Sequence, residues 1–288
     1  MQKTNLIIGA SSKVGLNISN ELEKNSILTY NTNKIKNAKK FNIEIDDISN
    51  AFDLKLFKNC IILSAISDPN LCFNNIKYSD KINVECTINL INKLINNNIK
   101  IFFISTEFVY NGNNKFNKEV DKTFPILVYG QQKKIVEDYI IKNTDNYCIF
   151  RLSKSYSVTK FKYGLIYDWY NKYQQGLFED NCADDQFFSP LEISDLYKVL
   201  DKCIAENING IFNLGGPERM SRYECLKYFY KCFNINKEII KISIDDVILP
   251  EKRPKDVSLN IDKIVNIIDF KLITFEQSLL NFRNEISK

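Results

Sequence analysis

Tyr129 and Lys133, in the stretch "VYGQQKK", are the residues of this 288-residue chain best spaced for proton chemistry. Four positions apart on a helix, they project from one face. An ammonium beside a phenol favours the phenolate and draws its pKa down from ~10 toward a working range. The spacing alone is weak, because Tyr30/Lys34, Tyr156/Lys160 and Tyr223/Lys227 repeat it. What separates Tyr129 is its company. The stretch "IFFISTEFVYNGNN" reads as a buried strand ending in Ser105-Thr106, and Tyr129 follows Thr106 by 23 residues. A hydroxyl at a strand end and a tyrosine on the next long helix converge at the C-terminal edge of a doubly wound sheet, where such folds bind ligands. The chain has no histidine. That excludes the usual zinc-hydrolase motifs, Ser-His-Asp triads and Cys-His pairs. Acid–base chemistry near neutrality falls to Asp, Glu, Lys, Tyr or Cys with shifted pKa values.

A second constellation is "IIGASSKVG". A glycine-bearing turn between a first strand and a helix sets backbone N–H groups and the positive helix end against a pyrophosphate. Gly9 and Gly15 hold the first and third places of a G-x-x-G-x-x-G pattern, with Ser12 in the middle one. Serine lacks glycine's freedom at positive φ, so a loop of different shape is expected. Ser11, Ser12, Lys13 and Val14 join Gly9 as expected cofactor contacts; a plain strand–helix turn is the rival reading. An acid at the end of the second strand would bind a ribose 2′-hydroxyl and favour NAD. Here "LTYNTNKIK" offers Asn31, Thr32, Asn33, Lys34 and Lys36. These suit a 2′-phosphate, so NADPH is expected, with NADH left open. Asp46 and Asp47, in "IEIDDIS", fall where a third strand should end. They read equally as holders of the adenine amino group or as a solvated loop pair.

The elements that must position these residues are legible as apolar runs: "NLIIG", "SILTY", "CIILSA", "KIFFIST", "CIFRL" and "GIFNL". None alternates with polar residues, as expected of parallel strands buried on both faces. Between them lie helical periodicities at Val14, Ile18 and Leu22, at Ile82, Cys86, Leu90 and Leu94, and at Ile135/Val136 and Tyr139/Ile140. Strand–helix alternation implies an α/β, doubly wound parallel sheet. After residue 152 the pattern turns aromatic and polar. It resumes as helix then strand through "SPLEISDLYKVLDKCIAENINGIFNLGG", followed by a capping box at Ser221 and Glu224 and a final amphipathic helix. The expected division is a dinucleotide-binding domain of residues 1–158 plus about 186–214, and a smaller, mostly α lobe of about 159–185 plus 215–288.

With 44% hydrophobic residues the chain can build a substantial core. The net charge of +4 is mild and the lysines are scattered, so nucleic acid is not an expected partner. Eight cysteines without a C-x-x-C pair read as reduced, mostly buried thiols. No metal site is read. No signal peptide opens the sequence and no apolar run approaches the ~20 residues that cross a bilayer, so a cytoplasmic protein without membrane contact is expected.

Taken together, these residues resemble the extended short-chain dehydrogenase/reductase superfamily, and within it the dTDP-4-dehydrorhamnose reductases and their sugar-nucleotide-binding relatives. "STEFVYNG" is similar to the family's S-T-D-Y-V-F-D-G, and "FNKEVDKTFPILVYGQQK" to its Y-x-E-x-D-x-P-x-P-x-x-x-Y-G-x-x-K. "AISDPNLCFNN", "KINVECTINL", "DQFFSP", "GIFNLGGPERMSRYE" and "RPKDVSL" follow in the family's order. The resemblance implies a Rossmann-type fold with a C-terminal substrate lobe. It implies Thr106, Tyr129 and Lys133 as a catalytic hydroxyl–Tyr–Lys set, with Ser64, Ala65, Asn83 and Ser105 near the cofactor. The reaction it implies is reduction by NADPH of a nucleotide-activated 4-keto-6-deoxy sugar, of the kind used for surface polysaccharides.

On this reading Lys133 binds the nicotinamide ribose, and Asp68, Glu107, Phe108 and Val109 face the substrate from the sheet. From the lobe, Gln186 and Arg253 serve either the substrate, with Arg253 on its diphosphate, or bonding between lobes. Trp169 reads as packing. The sequence departs from the family at Ser12, at Glu107 where the family has Asp, and at Lys154 where rhamnose enzymes commonly carry Trp. Alternatives are an NAD-dependent sugar-nucleotide epimerase or dehydratase, and a non-catalytic regulatory subunit like the relatives that bind methionine adenosyltransferase. A combined epimerase–reductase that relies on a Cys–His pair is disfavoured, because histidine is absent. A homodimer is left open.

Overall fold

The protein is described from a computed structural model covering residues 4–159 and 161–287, so Lys160 of the Tyr156/Lys160 pair lies outside the described residues. The six apolar runs form β1 (Asn5–Ile8), β2 (Ser26–Tyr30), β4 (Asn59–Ile62), β5 (Lys100–Thr106), β6 (Tyr147–Leu152) and an edge strand, Gly210–Leu214. A seventh, β3 (Ala38–Lys40), carries no apolar run, because it is short and solvent-facing at the other edge. All seven pair in parallel in the order Gly210–Leu214, β6, β5, β4, β1, β2, β3. The third strand therefore ends at Lys40, well before Asp46 and Asp47, and not at those residues as expected.

The crossovers are α1 (Lys13–Leu22), the single turn α2 (Ile48–Ala51), α3 (Pro69–Asn74), α4 (Ile76–Asp80), α5 (Thr87–Asn96) and α6 (Val128–Asn143). A π-helical turn, Lys81–Cys86, joins α4 to α5. Along β5 successive side chains enter opposite layers. Phe102 joins Ile18, Leu22, Leu196 and Val199 on one face of the sheet, while Ile101 and Phe103 join Leu90, Leu94, Val136 and Ile140 on the other. Burial on both faces is what removes alternation from the strand sequences.

The aromatic stretch after residue 152 resolves into α7 (Leu165–Gln174) and very short strands. Ser155–Tyr156 pairs with Leu191–Glu192, Phe187–Phe188 with Met220–Ser221, and Asn181–Ala183 with Ile240–Ile242. Strands of two or three residues are too short to show a period. The chain continues through α8 (Ser194–Ala205), which packs with α1 on the sheet, then α9 (Arg222–Cys232), α10 (Asp262–Val265) and α11 (Phe275–Ile286). At α9 the expected capping box forms in both directions between Ser221 and Glu224. A third apolar cluster, including Trp169, Phe188, Phe229, Phe275 and Phe282, holds these later elements together. Trp169 is packed as expected, its Nε1 donating to Glu179 Oε2 at 2.7 Å. All eight cysteines are free thiols, six buried and two half-buried. No helix among the described residues is long and apolar enough to cross a membrane.

Candidate active site

The order of the sheet reverses between β1 and β4, which leave opposite ways from the middle, and a crevice opens at that point beyond the strand ends. Gly9 turns the chain out of β1 with φ +84°, and a Cβ there would stand 2.8 Å from Ser64 N, so glycine alone lets the two strand ends lie side by side. Ser12 has extended backbone (φ −68°, ψ 162°), so its place never needed positive φ. It caps α1 by accepting from Gly15 N at 3.0 Å, so serine fits this position without backbone strain. The first turn of α1 carries no acid, and Lys13 opens it. A helix end of this kind attracts phosphate.

A groove of about 460 Å³ runs from this turn along the sheet edge. Ser12, Lys13, Val14 and Ala65 line one end, and Ser105, Thr106, Glu107, Phe108, Tyr129 and Lys133 line the middle. The expected hydroxyl–Tyr–Lys set is thus gathered in one place. Tyr30 and Lys34, and Tyr223 and Lys227, lie outside this groove. Helix packing brings Tyr129 there. A Cβ on Gly130 would stand 2.2 Å from Phe108 O, so its absence lets α6 press onto the turn that follows Thr106. Thr106 Oγ1 accepts from Phe108 N at 3.3 Å and caps that turn, leaving its own hydroxyl hydrogen to donate.

The electrostatics correct one expectation. Lys133 does not hold the Tyr129 phenol down; burial pushes the phenol up from its ordinary value. Lys133 Nζ donates to Ile104 O at 2.9 Å and sits 4.6 Å from the centre of the Phe103 ring, whereas the Tyr129 ring centre is 5.9 Å away. Burial also pushes Lys133 down, to about 8. Both shifts have one cause, since burial penalises whichever form is charged. Glu107 responds likewise: burial pushes its carboxyl up to about 7, opposed by the Ser153 hydroxyl that donates to Oε2 and by Lys154.

Beneath the groove, Glu137 is fully buried and receives the Arg151 fork, with Nη2 to Oε2 at 2.8 Å and Nε to both oxygens at 3.2 Å. The Ser105 hydroxyl donates to the same carboxylate, and Arg151 Nη1 donates to Tyr110 Oη at 2.8 Å. Asn83 is buried behind the loop that follows β4, where its side chain bonds Ile66 and Gln132.

The remaining expected residues lie elsewhere. Ser11 is half-buried in the first turn, and Asn31 is exposed beyond β2. Asp46 Oδ2 accepts from Asn42 N at 2.7 Å, and Asp47 caps α2 and pairs with Lys93 at 3.4 Å. Asp68 is exposed and caps α3. Val109 is fully buried against a cluster with Tyr110 and Leu259. Gln186 O accepts from Arg222 N, and Arg253 Nη2 donates to Asn70 Oδ1. Arg253 Nη1 and Glu251 Oε2, 3.9 Å apart, are buried without hydrogen-bond partners. Groove residues that were not anticipated include Ser67, Pro69, Ser153, Ser155 and Tyr163, while Lys154, a departure expected near the substrate side, also lines it. Most follow the ends of β4 and β6. Reading on past each strand end would have found them.

A parallel seven-stranded sheet with its crevice at the reversal point, and a Thr–Tyr–Lys set in it, defines a Rossmann-type α/β protein of the extended short-chain dehydrogenase/reductase kind. Residues 3–287 match the model of the family described as "RmlD substrate binding domain", and the chain belongs to that family. It is 23% identical over 202 residues to methionine adenosyltransferase 2 subunit beta of Pongo abelii, covering 68% of this chain and 60% of that protein. The chain thus spans less than two thirds of that relative's length. Among solved structures, a hypothetical dTDP-4-dehydrorhamnose reductase from Sulfolobus tokodaii superposes with TM-score 0.84 at 25% identity, over 95% of this chain and 98% of that one. The dTDP-4-dehydrorhamnose reductase of Bacillus anthracis, in complex with NADP, gives 0.83 at 19% identity, over 99% and 100%.

Proposed function

We propose that the protein is an NADPH-dependent reductase of a nucleotide-activated 4-keto-6-deoxy sugar, serving the synthesis of sugars for surface polysaccharides. The observation that carries this is the convergence of Thr106, Tyr129 and Lys133 on the groove that begins at the N-terminus of α1. The residues fit a dinucleotide. An acid-free helix start with Ser12 and Lys13 takes its diphosphate, and the exposed Asn31, Lys34 and Lys36 beyond β2 suit a 2′-phosphate. When bound, that cofactor supplies the hydride.

The protein's own part is to hold and protonate. Thr106 donates to the carbonyl oxygen and polarises it. Tyr129 is kept neutral by burial, which is the state needed to hand its proton to the oxygen as charge develops there. Lys133, whose ammonium donates to the Ile104 carbonyl at 2.9 Å, would hold the nicotinamide ribose when the cofactor is bound and return a proton to the spent phenolate, taking one back from solvent. Glu107 and Phe108, which line the groove, would hold the sugar from the sheet side, whereas Asp68, Gln186 and Arg253 lie outside that lining and Arg253 bonds Asn70. The test is absorbance at the nicotinamide band with NADPH and a panel of dTDP- and GDP-linked 4-keto-6-deoxy sugars that includes dTDP-4-dehydrorhamnose. Oxidation that depends on one of these sugars supports the proposal; none with any of them contradicts it.

A second reading is favoured by the likeness to methionine adenosyltransferase 2 subunit beta. On it, the chain binds a catalytic partner and uses the groove only to bind nucleotide. Stable co-elution with a methionine adenosyltransferase catalytic subunit, together with no keto-sugar turnover, would select it.

A further inference from the structure

Gln132 lies between the two residues of the Tyr–Lys pair and faces away from the groove into buried space. Its side chain is saturated. Oε1 accepts from Asn83 Nδ2 at 2.7 Å, and Nε2 donates to Ser79 Oγ and Asp80 Oδ1, each at 2.7 Å. Asn83 in turn grips one residue by both backbone groups: Oδ1 accepts from Ile66 N at 2.8 Å and Nδ2 donates to Ile66 O at 2.9 Å. Ile66 sits in the loop after β4, between Ala65 and Ser67, which line the groove. These bonds also fix which way each carboxamide points, since only a donor can face Ile66 O and only an acceptor can face Ile66 N. Asn83 reaches this loop from the π-helical turn Lys81–Cys86, a local widening that is rare and costs regular helix bonding. Tertiary gain must offset that cost, and the Ile66–Asn83–Gln132 chain is where the gain is visible.

We propose that Gln132 is a positioning residue: through Asn83 it locks the loop after β4 to the helix bearing Tyr129 and Lys133, so that a dinucleotide seated on the loop sets the distance from its reactive ring to the phenol. This rests on the reductase reading. Neither Gln132 nor Asn83 needs to touch the reacting atoms. The coupling is mechanical, carried by buried bonds whose loss leaves polar groups unpaired.

The test is Gln132→Met, similar in length but without hydrogen-bonding groups, read in two ways. Hydrogen exchange with and without NADPH should show slowing in both 63–67 and 128–134 for the wild type, but in 63–67 alone for the variant. With the 4-keto-6-deoxy sugar nucleotide that the wild type reduces, kcat should fall on the order of tenfold to a hundredfold, since a displacement near 1 Å costs up to about a hundredfold. The isotope effect from NADPH deuterated at the transferred position should rise as hydride transfer becomes limiting. Should Gln132→Met fail to fold, Ser79→Ala removes one Gln132 contact and should give the same pattern with a smaller loss. Equal protection of 128–134 and an unchanged isotope effect in a folded variant overturn the coupling and leave the reductase reading standing. Absence of any NADPH effect on the wild type overturns the reductase reading itself.

Discussion

Glu137 and Glu107 are two buried carboxyls near the end of one strand, β5, and they live in different company. Glu137 has the Arg151 guanidinium in a fork and the Ser105 hydroxyl on one oxygen. Glu107 has the Ser153 hydroxyl at short range and no arginine, and burial lifts it to about 7. Glu137 is paired in a guanidinium fork, whereas Glu107 has a hydroxyl and the Lys154 ammonium to oppose its burial but no fork, and burial prevails. The floor of the groove therefore carries a paired, hydrogen-bonded ion pair, and its walls carry groups that burial shifts, Glu107, Tyr129 and Lys133. Perturbed groups lining a cleft mark a functional site more securely than the charges beneath it.

The comparison breaks most visibly from below. Arg151→Met leaves Glu137 buried without its partner and should cost about 3–5 kcal/mol of stability, measured by urea unfolding at neutral pH. A loss under about 1 kcal/mol, the level of an exposed ion pair, would mean that the floor is not the fixed frame described here. Glu107 should show itself through pH instead. Its folded pKa lies above the ordinary value near 4.5, so its contribution to stability is complete below that pH and is lost as pH rises through about 7. Glu192, pushed by burial to about 8, acts in the same direction. Urea midpoints should fall from pH 5 to pH 8, and Glu107→Gln should flatten that slope, each pKa unit being worth about 1.4 kcal/mol. A slope unchanged by Glu107→Gln would remove Glu107 from the account. The smallest effect belongs to the turn: Ser12→Gly replaces one acceptable cap by another and should cost only a few tenths of a kcal/mol in thermal unfolding. A loss above 1 kcal/mol would show that the Ser12 hydroxyl does more than cap α1.

Much of the frame could be read from residues alone, because parallel strands buried on both faces write unbroken apolar runs and their crossover helices keep a helical period. β3 escaped because two of its three residues are exposed lysines. The strand pairs around Phe187 and Met220 escaped because pairing of two residues depends on the tertiary fold and leaves no local pattern. In the site, Thr106, Tyr129 and Lys133 were legible from spacing and context. The sign of the Tyr129 shift was not, since it depends on burial and on Lys133 turning to Ile104, neither of which spacing reveals. Lys154 stood out in the sequence as a departure from Trp near the substrate side, and it lies on the groove wall where the chain leaves β6.

On the proposed function, Tyr129 gives its proton to the carbonyl oxygen as the carbonyl is reduced. Tyr129→Phe tests it directly, with NADPH binding followed by calorimetry and turnover of the dTDP- or GDP-4-keto-6-deoxy sugar that the wild type reduces followed by nicotinamide absorbance. Turnover should fall about 10²–10⁴-fold, with NADPH affinity held within about twofold. Turnover equal to that of the wild type would contradict it.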